Sequence, residues 1–179
     1  MSATEPWRNP RPAPRLDELR YRVSPGSMVG ALLRAWWPAL LWAALIFALS
    51  TDSFSSAHTG SLIERIVRWV VPSITAERFE IVHHVIRKCA HFVEYFIFFL
   101  LLYRGVRSSR TTNGRWRWST AGIAWLIAAG YSVLDEIHQI FVPSRGPSAW
   151  DSLLDSTGAL IALMVLFILY QRLLRTRSA

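Results

Sequence analysis

Four stretches of this chain, residues 35–51, 95–103, 118–134 and 156–171, contain no Asp, Glu, Lys or Arg. No other feature limits the fold as much, because a helix crossing a hydrocarbon core about 30 Å thick needs about 20 apolar residues. Residues 118–134 reach the lower limit of that length and 156–171 nearly do. The first stretch is long enough if its helix begins at Met28 and Arg34 snorkels to the head groups. The second is long enough only if its helix continues back through Glu94, His91 and Lys88. The sequence therefore predicts an all-α fold, a bundle of four transmembrane helices over residues 29–50, 82–103, 118–140 and 153–173. A soluble bundle with buried helices is the alternative, and composition disfavours it. Of 179 residues, 52% are hydrophobic and 18% charged, where a soluble domain holds about 45–50% and about 25%. Residues 158–170 are also apolar around the whole helical circumference, where a surface helix shows a polar face.

A net charge of +8 invites a nucleic-acid reading, and the placement of the charge answers it. Fourteen of the twenty basic residues lie before the first span, in the loop after Tyr103, or in the tail after Tyr170. The other six (Arg65, Arg68, Arg78, Arg87, Lys88 and Arg145) share the opposite side with nine of the twelve carboxylates. Basic loops stay on the cytoplasmic side, so both termini are expected in the cytoplasm. Topology then accounts for the basic surplus, with the lipid bilayer as partner and no nucleic acid. A single cysteine, Cys89, excludes an intramolecular disulfide framework and a Cys-rich metal site.

Residues 1–27 are rich in Pro and Arg and read as a disordered cytoplasmic leader, 28–174 as the membrane domain, and 175–179 as a cytoplasmic tail. In the first outer loop Leu62, Ile63, Ile66, Val67, Val70 and Val71 recur at helical spacing, with Glu64, Arg65 and Arg68 opposite, until Pro72 ends the pattern. This is a short amphipathic helix, expected to lie on the outer leaflet or to pack on the bundle as a lid. Thr75 is placed to cap the next helix, with Glu77 in its first turn.

With both termini inside, the unusual polar residues all fall on helix ends facing outward. His84, Lys88, His91 and Tyr95 step by four, three and four and share one helical face, with Glu94 on its border. Asp135 and Gln139 are four apart, with Glu136 and His138 beside them, and Asp151 and Asp155 are four apart at the start of the last span. An Asp at the centre of a membrane helix costs roughly 2.5–3.5 kcal/mol, so these stripes are expected to face one another. Ionisable groups at such depth are candidates for function. Nineteen of the twenty basic residues are Arg, which singles out Lys88 as a position calling for a compact ammonium. His58, His83 and His84 read more simply as interfacial or solvated residues, and Cys89 as an ordinary buried thiol.

Residues 88–95 (KCAHFVEY), 135–145 (DEIHQIFVPSR) and 151–158 (DSLLDSTG) resemble three signatures of the VanZ-like membrane family, and 49–52 (LSTD) resembles that family's turn after the first span. The similarity covers about residues 35–171; Asp155 stands where the family often has Asn. The resemblance implies a multi-pass protein of the bacterial plasma membrane connected with the cell envelope. The family's namesake is associated with teicoplanin resistance.

Three readings of the polar residues follow. In the first, Lys88, His91, Glu94, Tyr95, Asp135, Glu136, Gln139, Arg145, Asp151 and Asp155 line an outward recess that binds or sequesters a lipid-linked precursor or a lipoglycopeptide. In the second, the recess belongs to an enzyme acting on an envelope lipid. There His91, Glu94, Asp135 and His138 are the catalytic candidates. No cofactor is required by the sequence, and a divalent metal held by His91, Glu94, Asp135, His138 and Asp151 is the open option. Ser144, Arg145, Asp151 and Asp155 are also similar to the last motif of integral-membrane lipid phosphatases, with Asp151 where that motif has a His. In the third reading, the polar groups only lock the helix ends together.

Overall fold

The computed structural model describes residues 25–51, 56–110, 115–142 and 148–177. Among these, all regular structure is helical: α1 (Pro25–Ser50), α2 (Ser56–Val70), α3 (Ala76–Ser108), α4 (Trp118–Gln139) and α5 (Ala149–Arg177). The expected leader up to residue 24, Asp52, and the stretch 143–147 with Arg145 lie outside the described residues.

The long helix α3 organises the others, packing against α1, α2, α4 and α5. Its start follows the local sequence. Thr75 takes an extended conformation and its hydroxyl accepts the Arg78 N–H at 3.4 Å, while Glu77 sits in the first turn where the helix dipole favours an anion. At 33 residues α3 is about 50 Å long, well beyond a hydrocarbon core of about 30 Å. Its charged first half therefore extends past the apolar run.

Contacts at the two ends fix the course of the chain. At one end, the Trp36 indole N–H donates to Ser109 Oγ at 2.9 Å, joining the N-terminal half of α1 to the end of α3. There too the Trp116 N–H donates to the Tyr170 hydroxyl at 3.0 Å, joining the start of α4 to the end of α5. At the other end, the Phe47 ring meets His138 with centroids 4.4 Å apart, and Glu136 accepts the Ser148 N–H. Consecutive long helices thus run antiparallel, and the start of α1 and the end of α5 share the arginine-rich end. Pro38, inside α1, has no N–H to give to the carbonyl of Arg34 four residues back. The Arg104 guanidinium from α3 takes that place, donating to Arg34 O at 3.2 Å.

Large side chains of α3 fill the core against small ones of its neighbours. Tyr95, Phe98, Phe99 and Leu102 are buried against Ala121, Ala124 and Ala128 of α4 and Ala159 and Ala162 of α5. Small residues let membrane helices approach closely, and Gly158 carries this furthest. A Cβ at that position would lie 2.5 Å from the Phe92 carbonyl oxygen, so backbone of α5 rests on backbone of α3.

The outside of the bundle is apolar. Leu33, Leu40 and Leu41 of α1, Leu126 and Leu134 of α4, and Ile168 of α5 are all exposed, whereas a soluble monomer rarely exposes large contiguous apolar patches. Two helices are long and apolar enough to cross a membrane, over Val29–Ser50 and Ala149–Thr176. Only 17% and 28% of their most apolar windows are buried inside the protein, whereas the core helix of a soluble fold is mostly buried. Charge in the first half of α3, and Asp135 and Glu136 with several Ser, Thr and Gly in α4, dilute the hydropathy of the other two. Two helices extend beyond the spans expected from the sequence: α1 starts at Pro25, and α5 runs from Ala149 to Arg177.

The amphipathic pattern between α1 and α3 is a helix, α2, ending just before Pro72 as expected. Glu64 and Arg68 form an i,i+4 ion pair at 2.8 Å on its polar side. Among the described elements α2 packs only on α3, and it leaves Ile66, Val70 and the 83%-exposed Trp69 uncovered.

Candidate functional site

The interior stripe of α4 changes character along its length. Ala121, Ala124 and Ala128 are followed at the same three-and-four spacing by Ser132, Asp135 and Gln139, all buried. The first turns of α5 present Asp151 and Asp155 toward this polar half, and the middle of α3 presents Lys88, His91, Glu94 and Tyr95. Asp155 lies six residues into α5, about 9 Å along its axis.

Partners connect these side chains across the helices. Lys88 forms an ion pair with Asp151, tying α3 to the first turn of α5. One turn deeper, His91 Nδ1 lies 3.7 Å from Asp155 Oδ1 and 4.0 Å from Glu94 Oε2. The other Asp155 oxygen accepts from the Ser132 hydroxyl at 3.3 Å, and Ser132 Oγ is 2.9 Å from Ser152 Oγ. Gln139 donates its amide N–H to Asp135 Oδ2 at 3.2 Å. Glu136 Oε2 accepts the Ser148 N–H at 2.7 Å, which sets a carboxylate at the start of α5, where free N–H groups and the helix dipole favour negative charge. On the α1 side, the Trp42 indole donates to Glu94 O at 3.0 Å and the Tyr131 hydroxyl to Ala43 O at 2.7 Å.

Asp155 and Tyr95 are 0% exposed and Asp135 is 3% exposed. Polar capacity is left over: Tyr95 Oη, Glu136 Oε1 and His138 Nε2 are buried without a hydrogen-bond partner among the described residues. A buried polar group in that state costs about 1–3 kcal/mol. Among the described residues the cluster brings together five carboxylates (Glu94, Asp135, Glu136, Asp151 and Asp155), with the Lys88 ammonium paired to Asp151 and Arg87 nearby. Among the described residues, no group of three or more His, Cys, Asp or Glu side chains is arranged to hold a metal ion.

A family model describing VanZ/LLP1 matches residues 35–170. The chain belongs to the VanZ/LLP1 family. No curated protein and no solved structure matches it. The matched span of this VanZ/LLP1 chain opens in α1 and closes in α5, so it takes in every residue of the polar cluster. Membership, together with two long apolar helices, is consistent with a membrane protein.

Of the residues singled out in this VanZ/LLP1 sequence, Lys88, His91, Glu94, Tyr95, Asp135, Glu136, Gln139, Asp151 and Asp155 come together on α3, α4 and α5, and Arg145 lies outside the described residues. The His138 ring lies against Phe47 of α1. His83 departs from the interfacial or solvated placement expected of it. It is buried and stacked on Phe79 one turn earlier, with centroids 5.6 Å apart, because an imidazole face packs on an apolar ring. Cys89 is exposed on α3, where a buried thiol was expected. Ser132 and Trp42 join the network without having been anticipated. The signal for Ser132 was present in its place three residues before Asp135, on the same stripe.

Proposed function

We propose that this VanZ/LLP1 chain is a four-pass protein of the bacterial plasma membrane with both termini in the cytoplasm, and that its polar cluster binds the head of an envelope lipid or lipoglycopeptide on the outer side. The observation that carries the reading is the meeting of buried Asp135, Glu136 and Asp155 with part-buried Glu94, with hydrogen-bonding capacity left at Tyr95 and Glu136. Burying acids in a membrane bundle is costly, and groups kept there serve function by default. Because acceptors dominate, the head that fits presents hydroxyl and amino donors, as sugars and peptide amines do. The exposed rings of Phe141 and Trp150, near the mouth of α4 and α5, offer apolar cover for the rest of such a ligand.

A purely structural reading has its own support in the Lys88–Asp151 pair and the Ser132 bridge, each of which ties two helices. Thermal unfolding of the purified full chain with teicoplanin, or with an undecaprenyl-linked sugar, separates the two. Binding predicts a raised Tm that Glu136→Gln and Asp155→Asn each diminish, with the unliganded Tm close to that of the parent. No shift with any such ligand, together with a large unliganded loss in both variants, contradicts binding and leaves the lock.

A further inference from the structure

At the opposite end of the bundle from the polar cluster, α3 and α5 enclose an open groove of about 530 Å³ lined by Leu100, Tyr103, Arg104, Arg107, Ser108 and Leu166. The α3 residues among these recur at three- and four-residue spacing and form one helical face. Along that face the chemistry is graded. Leu100, with Leu166 opposite, forms the apolar part; Tyr103 follows, buried; Arg104 next to it and Arg107 and Ser108 one turn on are all exposed.

Next to the groove is an aromatic cluster. The Trp116 ring lies 5.5 Å from Tyr103, 5.2 Å from Phe167 and 5.7 Å from Tyr170. Trp and Tyr concentrate at the level of lipid head groups, so the arginine part of the groove falls at head-group depth and the leucine part at acyl depth. Arg104 gives one N–H to Arg34 O and keeps others for a ligand, and a guanidinium presents five. Two arginines one turn apart on α3 and a serine in the same lining supply the N–H and O–H donors that a phosphate accepts.

We infer that this groove is a binding site for an anionic phospholipid, with Arg104, Arg107 and Ser108 holding the phosphate and Leu100 and Leu166 flanking an acyl chain. The inference rests on the membrane placement of the bundle and not on what the polar cluster binds. Charge complementarity selects the occupant, because a zwitterionic lipid offers the arginines no net negative charge.

The test uses the full chain purified in detergent and titrated with phosphatidylglycerol or with phosphatidylcholine of the same acyl chains, bound lipid being counted by native mass spectrometry. Preferential binding of phosphatidylglycerol is expected, with a roughly fivefold loss on Arg107→Gln and a larger one on Arg104→Gln/Arg107→Gln. Arg172→Gln, six residues beyond Leu166 and outside the groove, is expected to bind as the parent does. Arg107→Gln also keeps α1 tied to α3, because Arg104 supplies that contact. Equal binding of the two lipids, equal losses in Arg107→Gln and Arg172→Gln, or displacement of the bound lipid by millimolar inorganic phosphate would each overturn the site.

Discussion

His91 and Asp155 face each other across the α3–α5 interface, Nδ1 to Oδ1 at 3.7 Å, one turn below the ion pair of Lys88 with Asp151. Both pairs lie on the two helices whose backbones touch at Gly158. The same seam therefore carries a close backbone approach and two buried carboxylates. Packing fixes the positions of the acids, and their partners are drawn from the facing helix.

The Lys88–Asp151 pair gives the first prediction. Asp151 is buried, and removing its ammonium leaves a carboxylate without that counter-charge. Lys88 is part-exposed, which moderates the loss. Lys88→Met is expected to cost about 1–3 kcal/mol, and Asp151→Leu in the same chain to recover part of it. A double-mutant cycle read by denaturation in detergent checks this; additive losses would show that the two residues do not interact.

Gly158 is the second. The atom that a new Cβ meets is a backbone oxygen, which cannot swing aside as a side chain can. Gly158→Ala is expected to push α5 off α3 and lower stability by about 1–3 kcal/mol. Gly130→Ala, with open space around its Cα, is the comparison and is expected to be tolerated. Equal Tm values for the two variants would contradict the close approach.

Pro38 and Arg104 provide the third. Arg104→Met removes the donor to the Arg34 carbonyl and is expected to cost about 0.5–1.5 kcal/mol. Pro38→Ala restores the N–H that reaches that carbonyl within α1. In the Pro38→Ala chain the cost of Arg104→Met should therefore shrink. An unchanged cost would mean that the guanidinium is not compensating for the proline.

Much of this was legible in the sequence because it rests on periodicity. The stripe from Asp135 to Gln139, the face from His84 to Tyr95, the Thr75 cap and the break at Pro72 are all local, and local spacing fixes which residues share a side. Pairing between helices is not local. The sequence places Lys88 with Arg145 in the lining of a recess, whereas the fold pairs its charge with Asp151. The bridge from Ser132 of α4 to Asp155 is not legible in the sequence, because an uncharged hydroxyl in an apolar run carries no large burial penalty. His83 misled because its neighbour His84 suggested a shared interfacial role, and helical geometry points adjacent residues in different directions.

The central claim is that the polar side chains of α3, α4 and α5 gather on the face of the membrane away from the cytoplasm. Maleimide accessibility in intact bacteria tests it most directly, using Cys89→Ser chains with a single cysteine placed by Ser73→Cys, before α3, or by Arg110→Cys, after it. A membrane-impermeant maleimide is expected to label the Ser73→Cys chain in intact cells and the Arg110→Cys chain only after permeabilisation. Labelling in the reverse order, or of both positions from outside, would contradict the account.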